Sequence, residues 1–184
     1  MMADFTLTRM AAAEFLELPE SNKIIELING EVIMAPSPVD RHQEASGNLH
    51  FSLRQKQPSG KWRTAPTDVY IDEVNVIQPD LFWISDDNPN CHLVDGRYWH
   101  GAPDLIIEIL SPGTTRQDRD SKYRLYEKSG VREYWIVDAE ELYIEVYHLH
   151  DGKFERQAVV GLGEQFESAV LNGITLSVDA LLKG

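Results

Sequence analysis

Three residues between positions 79 and 122 have the types and surroundings that metal-assisted chemistry on a phosphodiester requires. Asp80 stands at the head of an apolar run, LFWI, and Glu108 lies inside a second one, LIIEIL. A carboxylate in an apolar wall needs a compensating partner, and one divalent cation compensates two carboxylates together. Lys122, on the helix expected after Glu108, adds a positive charge near such a site. These residues predict a Mg²⁺-dependent nuclease site.

Each of these residues also has a purely structural interpretation. Asp80 suits a turn or a helix cap, and Glu108 suits an internal ion pair with an arginine. Lys122 has Asp118 four residues before it and Tyr126 four residues after it, so the three form one polar stripe on a helix. Spacing alone favours a surface lysine paired with Asp118. The position of the helix directly after the Glu108 strand favours the alternative, in which Lys122 is part of the metal site.

Other polar residues stand where they could join these three. Glu26 and Glu31 flank the turn of an N-terminal hairpin, and His42 opens the second helix. Asp104 has the same strand parity as Glu108, so both carboxylates are expected on one face. The histidines and the single cysteine lack the spacing of a zinc site, so zinc is not expected.

Length and composition indicate an ordinary folded protein. The chain has 184 residues, of which 42% are hydrophobic and 26% charged, and we expect a single domain over 1–184. The apolar runs are too short to span a membrane, and the N-terminus has no apolar signal segment. One cysteine, Cys91, excludes an internal disulfide framework. We therefore predict a cytoplasmic protein without a membrane partner.

The net charge of −13 disfavours general coating of DNA, but the basic residues are unevenly placed. Of the 17 lysines and arginines, 5 lie in 41–63 and 6 in 116–132. A basic rim beside an acidic site would steer a phosphate chain toward it. Solvated helix faces explain the same pattern, and charge alone favours that interpretation.

Hydrophobic periodicity and turn signals predict the order of the elements. Helices are expected at 8–17 with Thr8 or Thr6 as cap, at 39–57 with Asp40 as N-cap, and at 116–129 with a cap from Thr114 or Thr115. Strands are expected at 62–65, 69–71, 78–84, 104–110 and 133–138, with hairpins around Asn29-Gly30 and Asp151-Gly152. Residues 85–101 are expected to form a loop, and the SVDALL segment one helical turn.

This order predicts an α/β protein with a mixed sheet. The strand–helix–strand step over 104–138 implies a parallel, right-handed crossover. An antiparallel meander is expected for the three strands before it. Helices are expected on the faces of the sheet.

The segments QPDLFWI and GAPDLIIEILSPGTTRQDRDSKYRLYEKSGVREYWIVD resemble a large domain family of unknown function described as "putative restriction endonuclease", in the PD-(D/E)XK nuclease superfamily. The resemblance extends upstream through ELINGEVIMAPSPVDRH and covers most of the chain. It implies a restriction-endonuclease-like core of helix, three strands, helix and strand, with N-terminal helix and hairpin and C-terminal hairpin additions.

The resemblance also implies roles for individual residues. Asp80 and Glu108 match the two metal-binding acids, and the Ile109 carbonyl would join them around Mg²⁺ or Mn²⁺. The usual lysine two residues after the second acid is absent, because position 110 is Leu, and Lys122 is the expected replacement. His42, Glu26 and Asp104 match recurrent polar positions, while Arg116 and Arg119 would face phosphates.

Three hypotheses remain open from the sequence. The first is a metal-dependent endonuclease acting on DNA. The second is a nuclease fold that no longer cuts and serves as a nucleic-acid-binding or regulatory module. The third is a metal-free α/β protein in which Glu108 has a structural ion pair. A homodimer or higher oligomer is expected if both strands of a duplex are cut, because that requires two sites.

Overall fold

The computed structural model describes residues 9–19, 23–35 and 37–183, and the elements are numbered along the chain. The first part contains α1 (Ala12–Leu16), β1 (Ile25–Ile28), β2 (Glu31–Met34), α2 (Asp40–Lys56), β3 (Lys61–Thr64), β4 (Val69–Asp72), β5 (Asn75–Ile77) and β6 (Leu81–Ile84). The middle part contains β7 (His92–Val94), β8 (Tyr98–His100), β9 (Leu105–Ile109), α3 (Thr115–Arg119), α4 (Ser121–Ser129) and β10 (Glu133–Asp138). The last part contains β11 (Tyr143–His150), β12 (Lys153–Gly161), β13 (Gln165–Ser168), β14 (Ile174–Ser177) and α5 (Val178–Leu182).

A mixed six-stranded sheet in the order β12-β11-β10-β9-β6-β3 forms the centre of the fold. Strands β9 and β10 are parallel, as the strand–helix–strand pattern predicts, and the other neighbours are antiparallel. The helix α2, strands β3, β6 and β9, helix α4 and strand β10 give the predicted core. The α/β fold class with a mixed sheet is therefore confirmed.

Alternating residues of β9 enter two different cores. Leu105 and Ile107 pack with Leu49, Leu53 and Trp135 on the face that α2 covers. Ile106 faces the other way, toward the cluster that contains Phe82, Leu125, Tyr126, Tyr134 and Ile136. Because both faces are covered, all five residues of β9 are buried. Glu108 shares the parity of Ile106 and so faces the α4 side.

A second six-stranded sheet, ordered β2-β1-β5-β4-β8-β7, packs beside this core. The predicted hairpin at Asn29-Gly30 is confirmed, since β1 and β2 pair antiparallel and both turn residues have positive φ of 52° and 77°. The predicted meander of three strands is wrong. Strand β3 pairs directly with β6, whereas β4 leaves for the second sheet together with β5, which was not predicted.

The predicted loop over 85–101 is also wrong, because β7 and β8 form a hairpin within it. Asp95 and Gly96 make the turn with φ of 50° and 69°. This is the same type of dipeptide signal that located the first hairpin. The short apolar runs beside it were hidden among polar residues.

Two helices begin or break differently from the prediction. Val39, and not Asp40, is the N-cap of α2, and its extended backbone (φ −77°, ψ 163°) makes Asp40 the first helical residue. The helix predicted over 116–129 is interrupted at Asp120, whose φ of −130° and ψ of −77° separate α3 from α4. Thr114 occupies the N-cap position of α3, without a side-chain cap hydrogen bond.

The two ends of the chain agree in part with the prediction. The first helix is shorter than the predicted 8–17, and its proposed caps Thr6 and Thr8 lie outside the described residues. The hairpin of β11 and β12 and the turn of helix in α5 are confirmed. The small hairpin of β13 and β14 was not predicted.

Candidate active site

The carboxylate of Glu108 lies at the centre of a buried polar cluster beside the carboxyl end of β9. Its Oε1 atom accepts hydrogen bonds from Lys122 Nζ at 3.1 Å and from the Tyr126 hydroxyl at 2.5 Å. Only 2% of Glu108 is exposed. Burial, together with the nearby Asp118, Asp80 and Glu26 carboxylates, raises the pKa of Glu108 well above its ordinary value despite the opposing charge of Lys122.

Lys122 is buried and not a surface lysine. Its Nζ atom lies 3.0 Å from Glu26 Oε1, 3.1 Å from Glu108 Oε1 and 3.8 Å from Asp118 Oδ1. Burial alone would lower the pKa of Lys122, but the Glu108, Glu26 and Asp118 carboxylates outweigh it and hold this pKa well above the ordinary value. The ion pair that the structural alternative assigned to Glu108 therefore exists, with a lysine as the partner.

Asp80 lies just before β6, and β6 pairs antiparallel with β9, the strand that carries Glu108. Its Oδ2 atom accepts hydrogen bonds from the Ile109 backbone N–H at 2.7 Å and contacts His42 Nε2 at 3.1 Å. The Asp80 backbone N–H in turn points at Glu108 Oε2 at 3.4 Å. Within the described part of the chain, these protein contacts use Oδ2 of Asp80, which leaves Oδ1 available to a ligand.

Two further elements bring residues to the same place. Glu26, from β1, accepts a hydrogen bond from the Gln78 backbone N–H at 2.8 Å with the oxygen that also pairs with Lys122. His42 comes from the first turn of α2. Although burial alone would lower the pKa of His42, the hydrogen bond and charge of Asp80 raise it above its ordinary value.

A cavity of about 30 Å³ lies between these side chains. That volume is enough for a water molecule or a small ion. Three buried polar atoms of its lining residues have no hydrogen-bond partner in the described chain: His42 Nδ1, Asp118 Oδ1 and Gln78 Oε1. Burial raises the pKa of Asp118 to about 6, with Lys122 opposing the rise. Three carboxylates thus lie within 4 Å of Lys122 Nζ and the fourth, Asp80, contacts His42, so the acidic groups of the cluster outnumber its basic groups.

The donor set fits Mg²⁺ or Mn²⁺ better than a metal that needs a full protein cage. Among residues 9–19, 23–35 and 37–183, no group of three or more His, Cys, Asp or Glu side chains has the geometry to coordinate a metal ion by itself. Mg²⁺ needs only one or two carboxylates, because it keeps several of its own waters. Asp80 Oδ1, together with Glu108 Oε2, which accepts only a 3.4 Å hydrogen bond from the Asp80 N–H, could meet that requirement.

Some predicted residues lie elsewhere. Asp104 shares the face of Glu108 but stands at the other end of β9, where Arg132 Nη1 lies at 3.0 Å and the Ser85 N–H at 2.8 Å. That end opens on a separate pocket of about 450 Å³. The parity argument was therefore correct, but four residues of extended strand separate the two carboxylates by roughly 13 Å.

The predicted phosphate contacts are only partly available. Arg116 is exposed on α3, whereas Arg119 Nη2 lies 2.7 Å from Glu145 Oε1 and 3.0 Å from the Tyr143 hydroxyl. Other basic residues of the two segments also have acidic partners, among them Arg124 with Asp120. Much of the basic pattern therefore balances the protein's own acids.

Sequence reasoning missed Gln78, Ser111 and Thr114, which also line the cavity. Gln78 directly precedes the Pro79-Asp80 pair, and that position is the only signal that pointed to it. The sequence predicts Thr114 as a helix cap and assigns no role in the site to Ser111. Ser111 Oγ and Thr114 Oγ1 are 3.0 Å apart, so these hydroxyls also order the segment that crosses the end of β9.

Comparison with known proteins identifies the family of this chain. The family model Uma2, described as "Putative restriction endonuclease", matches residues 12–179. The chain belongs to this family. The match includes every member of the acidic cluster, from Glu26 to Lys122, so the candidate site is part of the Uma2 domain.

A crystal structure described as "a putative nuclease belonging to DUF820" from Anabaena variabilis ATCC 29413 has the same fold as this Uma2 protein. The TM-score is 0.74 at 20% sequence identity, and the superposition covers 95% of this chain and 98% of the other. An uncharacterized protein of Synechocystis sp. is 38% identical over 50 residues, which is 27% of this chain and 26% of that protein. In the described residues, no helix is long and apolar enough to cross a membrane.

Proposed function

We propose that this protein is a Mg²⁺- or Mn²⁺-dependent endonuclease that hydrolyses phosphodiester bonds in DNA. The observation that carries the proposal is the cluster of Glu26, Asp80, Glu108 and Asp118 around the single ammonium of Lys122. Buried carboxylates in excess over cations are costly without a further positive charge. A divalent cation supplies that charge and is the usual partner of such carboxylates in phosphoryl transfer.

Asp80 and Glu108 are the proposed metal ligands, with the Ile109 carbonyl as the third protein ligand. A bound divalent cation would polarise a phosphoryl oxygen and lower the pKa of an attacking water. Asp80 keeps its orientation through the Ile109 N–H and His42. Tyr126 and Lys122 hold Oε1 of Glu108, and Oε2 accepts a long hydrogen bond of 3.4 Å from the Asp80 backbone N–H.

Lys122 and His42 have supporting roles in this proposal. The ammonium of Lys122, held between Glu26 and Glu108, offsets negative charge that develops on the phosphate. His42 donates to Asp80 and so fixes the orientation of that carboxylate. Burial, followed by the charge of Glu108, raises the pKa of Tyr126, so its hydroxyl remains a donor over the working pH range.

One observation favours a second candidate, a nuclease fold that binds nucleic acid or regulates without cutting. Lys122 already lies within 4 Å of three carboxylates, which compensates part of their charge without a metal. The cluster would then be a structural ion-pair network. Metal binding and cleavage must therefore be measured separately.

The test is cleavage of plasmid, single-stranded and branched DNA with Mg²⁺, Mn²⁺ or EDTA. Wild type and Glu108→Ala are compared with Glu155→Ala, which removes an exposed carboxylate of β12 and is purified in the same way. We expect cleavage by wild type and Glu155→Ala only, and only with metal. Calorimetric titration with Mn²⁺ measures binding independently of cleavage.

Equal cleavage by wild type and Glu108→Ala would identify a contaminating nuclease and contradict the assignment. Metal binding without cleavage of any substrate would favour the non-cutting module. Absence of both metal binding and cleavage would favour the structural ion-pair network. Sedimentation of the active form would test the proposed homodimer.

A further inference from the structure

A second pocket adjoins the acidic cavity and has different chemistry. It has a volume of about 380 Å³ and shares five lining residues with the cavity, namely Ile24, Pro38, His42, Gln78 and Asp80. Its volume lies near the lower end of the range for small-molecule sites. A group bound there would lie directly beside the proposed scissile phosphate.

The lining suits a flat, uncharged heterocycle better than another phosphate. Ile24, Pro38 and Pro66 supply apolar surface, and Gln43 and Ser46 of α2 add neutral groups that donate and accept hydrogen bonds. The charged side chains of the lining are of opposite sign, Lys23 and Asp80, so the pocket has no cluster of cations that would select a phosphate. Such a combination of apolar walls and a few polar groups is typical of sites that bind a ring and orient its edge. A nucleobase has this shape and this polar edge.

Gln78 provides an acceptor whose orientation is fixed. Its Nε2 atom donates to Asp68 Oδ1 at 2.7 Å, and a carboxylate accepts only, so the amide oxygen is the atom that does not face Asp68. That oxygen, Oε1, is buried and has no hydrogen-bond partner in the described part of the chain. An exocyclic amino group of a base would satisfy it.

We propose that this pocket binds one unstacked nucleobase of the DNA strand being cut, next to the scissile phosphate. The inference rests on the proposed nuclease function and names its substrate form. A pocket of this size holds one base out of the stack and not a stacked base pair, so single-stranded or flared DNA is the preferred substrate. Unstacking a base costs least where it is not paired.

The first experiment measures binding, so that its result does not depend on cleavage. A short fluorescent single strand and the same strand with one abasic nucleotide are titrated with wild type in Ca²⁺, with anisotropy as the readout. We expect roughly tenfold weaker binding of the strand in which the bound nucleotide is abasic. Strands with the abasic nucleotide at successive positions are compared to identify the nucleotide that the pocket binds. Equal affinity for every strand would overturn the proposal.

A pair of variants on adjacent residues of α2 tests the location of the pocket. Ser46→Phe would fill it, whereas Gly47→Phe adds the same ring at a position where a Cβ meets nothing within 4 Å. We expect roughly tenfold weaker strand binding for Ser46→Phe and no more than about twofold change for Gly47→Phe. Equal binding by both variants would overturn the proposal. If Ser46→Phe does not fold, as judged by circular dichroism, the abasic series with wild type decides.

Cleavage separates this inference from the function on which it rests. With Mg²⁺, we expect wild type to cut the single strand at least roughly tenfold faster than the matching duplex, with the abasic strand cut slowly. Metal-dependent cleavage that ignores the base would overturn the pocket assignment and leave the proposed function intact. Base-dependent binding without cleavage would support the pocket and contradict the nuclease.

Discussion

At the scale of single residues, the site is a balance between buried charges of opposite sign. Glu108 is 2% exposed and Lys122 is 4% exposed, and Lys122 Nζ lies 3.1 Å from Glu108 Oε1. Glu26, Asp80 and Asp118 add three more carboxylates to the same cavity. Removing one partner from such a network costs more than the network contributes, because the remaining charges stay buried. The consequences of substitution therefore depend on which sign is removed and on whether a metal is present.

Lys122→Met removes the single ammonium while keeping the length of the side chain. In EDTA we expect the free energy of unfolding to fall by about 3–5 kcal/mol, because the three carboxylates within 4 Å of Lys122 lose their cation. Mg²⁺ should restore part of this loss. The control is Lys128→Met, an exposed lysine of the same helix, for which a change of about 0.5 kcal/mol or less is expected in urea unfolding. Equal losses in both variants would contradict the proposed charge balance.

The pH dependence of stability follows from Asp118. Its pKa is raised from 3.8 to about 6 in the folded protein, so the folded state holds a proton that the unfolded state releases. The associated stability is present below the ordinary pKa and is lost as the pH rises through about 6. Metal-free wild type should therefore lose stability, on the order of 1–3 kcal/mol, between pH 4 and pH 7.

Asp118→Asn tests the origin of this dependence by thermal unfolding in EDTA. The amide cannot ionise, so we expect a flatter pH profile and a higher Tm at pH 7.5 than in wild type. Asp120→Asn, which changes an exposed carboxylate two residues away, should leave the profile unchanged. A lower Tm for Asp118→Asn at pH 7.5 would mean that this carboxylate stabilises the fold through Lys122.

At the scale of elements, the site depends on how strands and helices end. The antiparallel pairing of β6 with β9 places Asp80 beside Ile109, and the parallel pairing of β9 with β10 requires the α3–α4 connection to cross over Glu108. Helix α4 then presents Lys122 and Tyr126 toward β9. The end of α4 is fixed by Gly130, whose φ is 86°.

Gly130→Ala should therefore destabilise the protein by about 1–2 kcal/mol, because an L-residue adopts this left-handed conformation at a cost. An added Cβ at Gly130 meets nothing within 4 Å, so strain and not collision is tested. Gly47→Ala is the matched control, since Gly47 lies inside α2 and also has open space. There we expect about 0.5–1 kcal/mol of stabilisation in urea unfolding. If both substitutions changed the free energy of unfolding in the same direction, the explanation by backbone strain at Gly130 would be contradicted.

At the scale of the whole molecule, the proposed function requires an acidic protein to bind an acidic polymer. The net charge is −13, and basic residues such as Arg119 and Arg132 are held by Glu145 and Asp104. Repulsion between the site carboxylates and a phosphate weakens DNA binding until a cation intervenes. Binding should therefore depend strongly on divalent ions.

Asp80→Asn separates repulsion from catalysis. In EDTA we expect this variant to bind a single strand roughly three- to tenfold more tightly than wild type, since one negative charge at the site is removed. With Mg²⁺ it should bind without cutting. Asp151→Asn, in an exposed turn, has the same change in net charge and should bind like wild type in fluorescence anisotropy. An equal gain in both variants would assign the effect to net charge alone.

The local elements of this protein were determined by the sequence, because they depend on neighbours in the chain. The apolar run of β9, the Asn29-Gly30 turn and the Gly130 helix end follow from side-chain period and backbone preference. The need of Glu108 for a partner also followed from its apolar surroundings. The resemblance of the central block to a nuclease family then indicated Asp80 and Lys122.

Only the tertiary structure decided which of the polar residues meet. Glu26 reaches Lys122 from β1, Gln78 joins the cavity, and Asp104 is excluded at the far end of its own strand. These outcomes depend on registers and crossovers that join residues far apart in sequence, and local period carries no information about them. The division of the strands between two sheets is decided in the same way, because it depends on long-range pairing between strands.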